Sequence, residues 1–185
     1  MPQGDIVGLL IMATVAGLAM PAGAILATYQ GIQPKWLEKE LRHGILALGA
    51  GALISAVGLV LVPEGIKDVS VFAAIACFVG GALAFMALDI YLAKKQTAGS
   101  QLAAMLSDFV PESIALGTTA ALGGGTMLLG LLIAVQNLPE GFNAYREMLP
   151  KNKLRSTKLI LLFIGMALLG PLFSLVGFYY LAQFP

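Results

Sequence analysis

The chain has 185 residues, of which 58% are hydrophobic and 11% are charged, with a formal net charge of +1, and its mean hydropathy is +0.88. Soluble domains are about 45–50% apolar and about 25% charged, so this composition excludes an ordinary water-covered surface, and a charge this close to neutral offers nothing to nucleic acid. The single cysteine, Cys77, excludes an intrachain disulfide.

A helix that crosses a bilayer needs about 20 predominantly apolar residues. Six runs qualify, at roughly 6–28, 43–63, 70–92, 101–121, 125–145 and 157–183. They predict an all-α fold, a polytopic membrane helix bundle of six transmembrane helices forming a single transmembrane domain over residues 1–185. The start, Met1-Pro2-Gln3-Gly4-Asp5, carries an acid and no base, and the run that follows is too long for the apolar region of a signal peptide, so it is expected to stay as the first span. Between the first two spans, the stretch from Gln33 to Arg42 is too polar to cross. Trp36 and the apolar–polar alternation around it fit either a short helix lying at the interface or a solvated loop. His43, at the start of the second span, reads as structural.

Small residues recur along the spans: Gly17, Pro21 and Gly23 in the first, Ala47, Gly51 and Ser55 in the second, Gly80 and Gly81 in the third. Small residues at four-residue spacing let helices approach closely in lipid. Pro63-Glu64-Gly65 reads as the stop of the second span, and Cys77 as a small apolar filler of the third. Gly123-Gly124-Gly125 predicts a tight turn between the fourth and fifth spans. The sixth is long, and Pro171 is the place for it to kink.

Basic residues favour the cytoplasmic side. Lys35, Lys39 and Arg42 follow the first span, Lys94 and Lys95 the third, and Arg146, Lys151, Lys153, Arg155 and Lys158 the fifth, while only Lys67 falls on the other side. The expected orientation puts both ends of the chain outside the cytoplasm, in an integral membrane protein.

Three of the ten acids lie deep inside spans: Asp108, Glu112 and Glu140. A charge at the bilayer centre costs about 2.5–3.5 kcal/mol on insertion scales, and no basic residue occupies the middle of any span. Protons or a bound cation must therefore meet the charge. Asp108 and Glu112 are four residues apart and share a helix face, as do Gln136 and Glu140. Pro111 and Pro139 directly precede the two glutamates. A proline has no N–H for the carbonyl four residues back, here those of Ser107 and Val135. Broken helices at membrane depth line cavities in transporters. Two such frames joined by a glycine turn predict a cluster of three carboxylates, an amide and two free carbonyls, a donor set suited to a divalent cation. A plain Pro-Glu kink is the competing reading of each frame alone, and the matched pair argues against it. Met105 offers a sulfur one turn before Asp108 but reads as a core or lipid-facing residue. Asn143, one turn beyond Glu140, is a candidate to line the same path.

Asp108-Phe109-Val110-Pro111-Glu112-Ser113 and Gln136-Asn137-Leu138-Pro139-Glu140-Gly141 resemble the paired motifs of the fourth and fifth helices of the ZIP (Zrt/Irt-like protein) family of divalent-metal transporters, whose pattern is His-Asn-x-Pro-Glu-Gly followed by (His/Gln)-(Asn/Asp)-x-Pro-Glu-Gly. The likeness extends to Gly49-Ala50-Gly51-Ala52-Leu53 through Pro63-Glu64, to Gly80-Gly81-Ala82-Leu83 through Leu88-Asp89, and to Gly170-Pro171-Leu172. The resemblance implies a transporter rather than an enzyme, and no catalytic frame or Ser/His dyad supports an intramembrane protease. It implies metal ligation by Asp108, Glu112, Gln136 and Glu140, with Asn137 as the remnant of a second metal position. The substrate would be a divalent cation (Zn, Fe, Mn or Cd), no organic cofactor is expected, and the setting would be a bacterial or archaeal plasma membrane.

The chain departs from the family pattern in three ways. Asp108 stands where the family has histidine, which makes the site harder and favours Mn²⁺ or Fe²⁺ over Zn²⁺. Phe109 replaces an asparagine and cannot coordinate, and no acid occurs in 157–183, so the second metal position is expected to be lost. The family has eight helices and this chain six: it is truncated, a homodimer partner fills the gap, or the cycle is altered. The expected mechanism is alternating access, with spans 1–3 moving against spans 4–6. The rival expectation is a ZIP-like module that does not transport and serves metal binding or assembly.

Overall fold

The computed structural model describes residues 5–29, 35–67, 69–95, 97–151 and 156–183, and these are helical apart from short connections. The expectations attached to residues 1–4, to Gln33 and Pro34, and to Lys153 and Arg155 lie outside them. The helices are α1 (Ile6–Thr28), α2 (Lys35–Ala56), α3 (Val62–Gly65), α4 (Val71–Lys95), α5 (Ala98–Ala121), α6 (Thr126–Lys151), α7 (Ser156–Ala167) and α8 (Leu169–Tyr179). Four helical stretches, Ile6–Thr28, Arg42–Gly65, Val71–Lys95 and Ser156–Tyr179, are long and apolar enough to cross a membrane. At 24 and 26 residues α5 and α6 are as long, but theirs are the sequences that carry the acids and amides.

Local chemistry accounts for the ends and breaks. Asp5 caps α1 by accepting from the Val7 amide at 2.9 Å, and Thr97 and Ser100 form a reciprocal capping box at the start of α5. The polar stretch from Lys35 to Arg42 is neither a separate interfacial helix nor a loop. It forms the first turns of α2, because its lysines, glutamates and leucines are good helix formers and nothing in it breaks the ladder. α2 then widens into a π-helical turn at Val57–Leu61 before α3. Pro63, just beyond that turn, has no N–H to give the Leu59 carbonyl.

Gly123, at φ +73°, closes the turn between α5 and α6, and Gly124 donates to the Thr119 carbonyl at 2.8 Å. The sixth run divides at Leu168 into α7 and α8. That is three residues before Pro171, which cannot donate to the Ala167 carbonyl.

Packing joins all the long helices closely except α4. α2 lies along α6, α1 lies chiefly against α6 and also against α7 and α8, while α5 lies against α8. These contacts are backbone to backbone. A methyl group at Gly17 would sit 2.6 Å from the Ala167 carbonyl oxygen, and one at Gly141 would collide with the Met20 carbonyl. At Gly117 and Gly177 it would meet the carbonyls of Ser174 and Ile114. α4, in contrast, has no buried residue, and a methyl group at Gly80 or Gly81 would touch nothing. Cys77, on this helix, is exposed. The first and second spans therefore both belong with α5–α8, and the third stands apart.

Two apolar clusters fill the packed group. One joins Met20, Met105, Phe109, Phe142 and Phe163; the other joins Leu9, Val60, Leu116, Ile133 and Phe178. On α5 and α6 they leave between them the segments that hold Glu112, Gln136 and Glu140.

Candidate metal site

Glu112 and Glu140 each lie fourteen residues from the start of their helix, about 21 Å along it at 1.5 Å per residue. Both helices continue without interruption through Pro111 and Pro139. Gln136 donates its Nε2 to Glu112 Oε1 at 2.8 Å. Glu112 Oε2 and Gln136 Oε1 are buried and have no hydrogen-bond partner. A buried polar atom left unpaired costs roughly 1–3 kcal/mol, and both of these atoms are acceptors that a cation would satisfy.

A cavity of about 240 Å³ lies between α2, α5 and α6, and Asp108, Gln136 and Glu140 are in its wall. α2 closes the side facing Pro139: a methyl group at Gly49 would stand 3.1 Å from the proline ring. Three of the sequence-predicted ligands therefore share one cavity, and Glu112 is tied to it through Gln136.

The expected three-carboxylate cluster is not closed in this conformation. Among the described residues, no three His, Cys, Asp or Glu side chains stand together as a group that could hold a metal ion. Glu112 is engaged with Gln136, and Asp108 is exposed.

Asn137 is elsewhere. It is fully buried and donates its Nδ2 to the Ala16 carbonyl at 2.9 Å, tying α6 to α1. Its Oδ1 is buried without a partner. Phe109 and Met105 are core residues, so Met105 offers no sulfur to the cavity.

No family model, curated protein or solved structure matches this chain. The geometry alone therefore carries the functional argument.

Asn143 lines the cavity as its spacing from Glu140 predicts, and so does Gln101, which no motif marks. A polar network was also not foreseen. Arg42 donates its Nε to Asn143 Oδ1 and its Nη2 to Glu147 Oε1, each at 3.1 Å, and Asn143 Nδ2 donates to the same Glu147 oxygen at 3.0 Å. The signal was present as spacing. Gln136, Glu140, Asn143 and Glu147 recur every three or four residues, a polar stripe along one face of α6.

Proposed function

We propose that this chain is a ZIP-like membrane transporter whose substrate is a divalent cation, held at a single site between α5 and α6. The observation that carries the reading is the pair of buried, unpartnered oxygens of Glu112 and Gln136, beside a cavity walled by Asp108 and Glu140. An all-oxygen donor set suits a hard cation, and Mn²⁺ or Fe²⁺ fit it better than Zn²⁺. In this reading α5 and α6 also cross the bilayer, which gives six spans, with both ends of the chain outside the cytoplasm of a bacterial or archaeal plasma membrane.

Alternating access has α4, which buries none of its residues, moving against the group of α1, α2 and α5–α8, in place of spans 1–3 against 4–6. A homodimer partner covers the exposed face of α4. Carboxylates bind metal only when deprotonated, so cation release is coupled to proton uptake at Glu112 or Glu140.

The second reading, a ZIP-like module that binds metal or assists assembly without transporting, draws support from the open arrangement of the three acids. Equilibrium binding of Mn²⁺, Fe²⁺, Zn²⁺ and Cd²⁺ to purified protein tests the site, beside the Glu112→Gln/Glu140→Gln variant. Saturable binding by the native chain that the variant loses supports it; no binding by either removes it. Cation flux in proteoliposomes then separates transport from binding alone.

A further inference from the structure

A second, larger cavity of about 500 Å³ lies between α4, α5 and α6, with Asp89, Thr97, Ser100, Gln101 and Glu147 in its wall. Gln101 belongs to both cavities. Asn143 lines the smaller one and Glu147 the larger. The Arg42 guanidinium is bonded to both residues at once. From α2 it therefore holds one wall residue of each cavity. Arg42 and Glu147 are both partly exposed, as expected beside open space.

Resting on the transport reading above, we infer that the two cavities are successive chambers of one cation path and that Arg42, held by Asn143 and Glu147, is the barrier between them. A fixed guanidinium opposes a passing cation by charge as well as by bulk. It also masks Glu147, the carboxylate on the far side. The barrier sits on α2 and both of its acceptors sit on α6, against which α2 packs. Rotation of the partly exposed Arg42 side chain, with the two helices staying in contact, breaks the bonds and joins the chambers.

The test reads water access, not transport. In a Cys77→Ser background, Ala50→Cys places a thiol in the wall of the smaller cavity, and a membrane-impermeant thiosulfonate is applied to the membrane face that carries Arg42. With Arg42 present, labelling is slow. Arg42→Gln speeds it by about tenfold, the change expected when charge-assisted hydrogen bonds worth about 1.5 kcal/mol or more are lost. Glu147→Gln speeds it in the same direction and serves if Arg42→Gln does not fold. The exchange Arg42→Glu/Glu147→Arg returns labelling to the slow rate.

Fast labelling of the chain that retains Arg42, single variants no faster than that chain, or a fast rate in the exchanged pair each overturn the barrier. Mn²⁺ binding to the same preparations is scored separately. Loss of binding by every form refutes the transport site, whereas unchanged labelling rates refute the barrier alone.

Discussion

Gln136 and Glu112 hold each other across two helices: the amide donates to one carboxylate oxygen at 2.8 Å, and the remaining acceptor on each side chain is left buried and unpartnered. The hydrogen bond fixes both rotamers at once. It sets two acceptors in place before any ligand arrives, which reduces the ordering cost of binding.

Gln136→Leu removes a proposed ligand and the group that orients the Glu112 carboxylate. Mn²⁺ affinity is expected to fall by about 10- to 100-fold, the range for supporting partners of metal ligands. Calorimetric titration of native and variant protein in detergent checks it, and unchanged affinity would show that the amide has no part in the site.

Gly141→Ala drives a methyl group into the Met20 carbonyl on α1. Overpacking of this kind costs about 1–3 kcal/mol. The same change at Gly80, where nothing lies within 4 Å, is expected to be neutral or stabilising by up to about 1 kcal/mol through helix propensity. Thermal unfolding in detergent should separate the two variants clearly, and equal melting temperatures would contradict the close packing of α1 on α6.

Phe109→Asn would restore the residue type of the resembled family without restoring its chemistry. Phe109 is 1% exposed and packs in the core near Gly170, where an added methyl group would meet its ring at 2.9 Å. Truncating a buried phenylalanine to alanine costs about 3–5 kcal/mol, and burying an unpartnered amide adds to the loss. The expected result is an unstable protein that binds no additional ion, checked by thermal unfolding and binding stoichiometry.

Asn137→Leu tests whether that residue ligates or ties helices together. The bond to the Ala16 carbonyl predicts a stability loss of about 1–3 kcal/mol from the unpaired polar group, with cation stoichiometry unchanged. A loss of binding at unchanged stability would instead make Asn137 a ligand.

Much of the helix layout was legible because apolar runs of spanning length leave few alternatives. The run at 6–28 coincides with α1, and the triple glycine marks the turn. The packing was not legible. Gly17, Gly51 and Gly80 look alike in sequence, yet a methyl group at the first would meet a neighbouring backbone and at the other two nothing. Composition says that a helix can approach another, not which one. Two frames with a proline before a glutamate marked the candidate residues, and three of them line one cavity. Asn137 bonds to α1 and does not line the cavity, because adjacent residues on a helix point about 100° apart, so the neighbour of a cavity residue can face a different helix altogether. Arg42 escaped notice because its partners lie 101 and 105 residues away, a separation that no local pattern records.

α4 contributes Asp89 to the larger cavity while burying none of its own residues. Its position is therefore governed by the surrounding lipid more than by protein neighbours. Helices that mismatch the hydrocarbon thickness respond by tilting, at a cost of fractions of a kcal/mol per Å. In a bilayer, one wall of the larger cavity is therefore expected to change its angle with acyl-chain length, so that the cavity's width answers to the membrane as well as to the sequence.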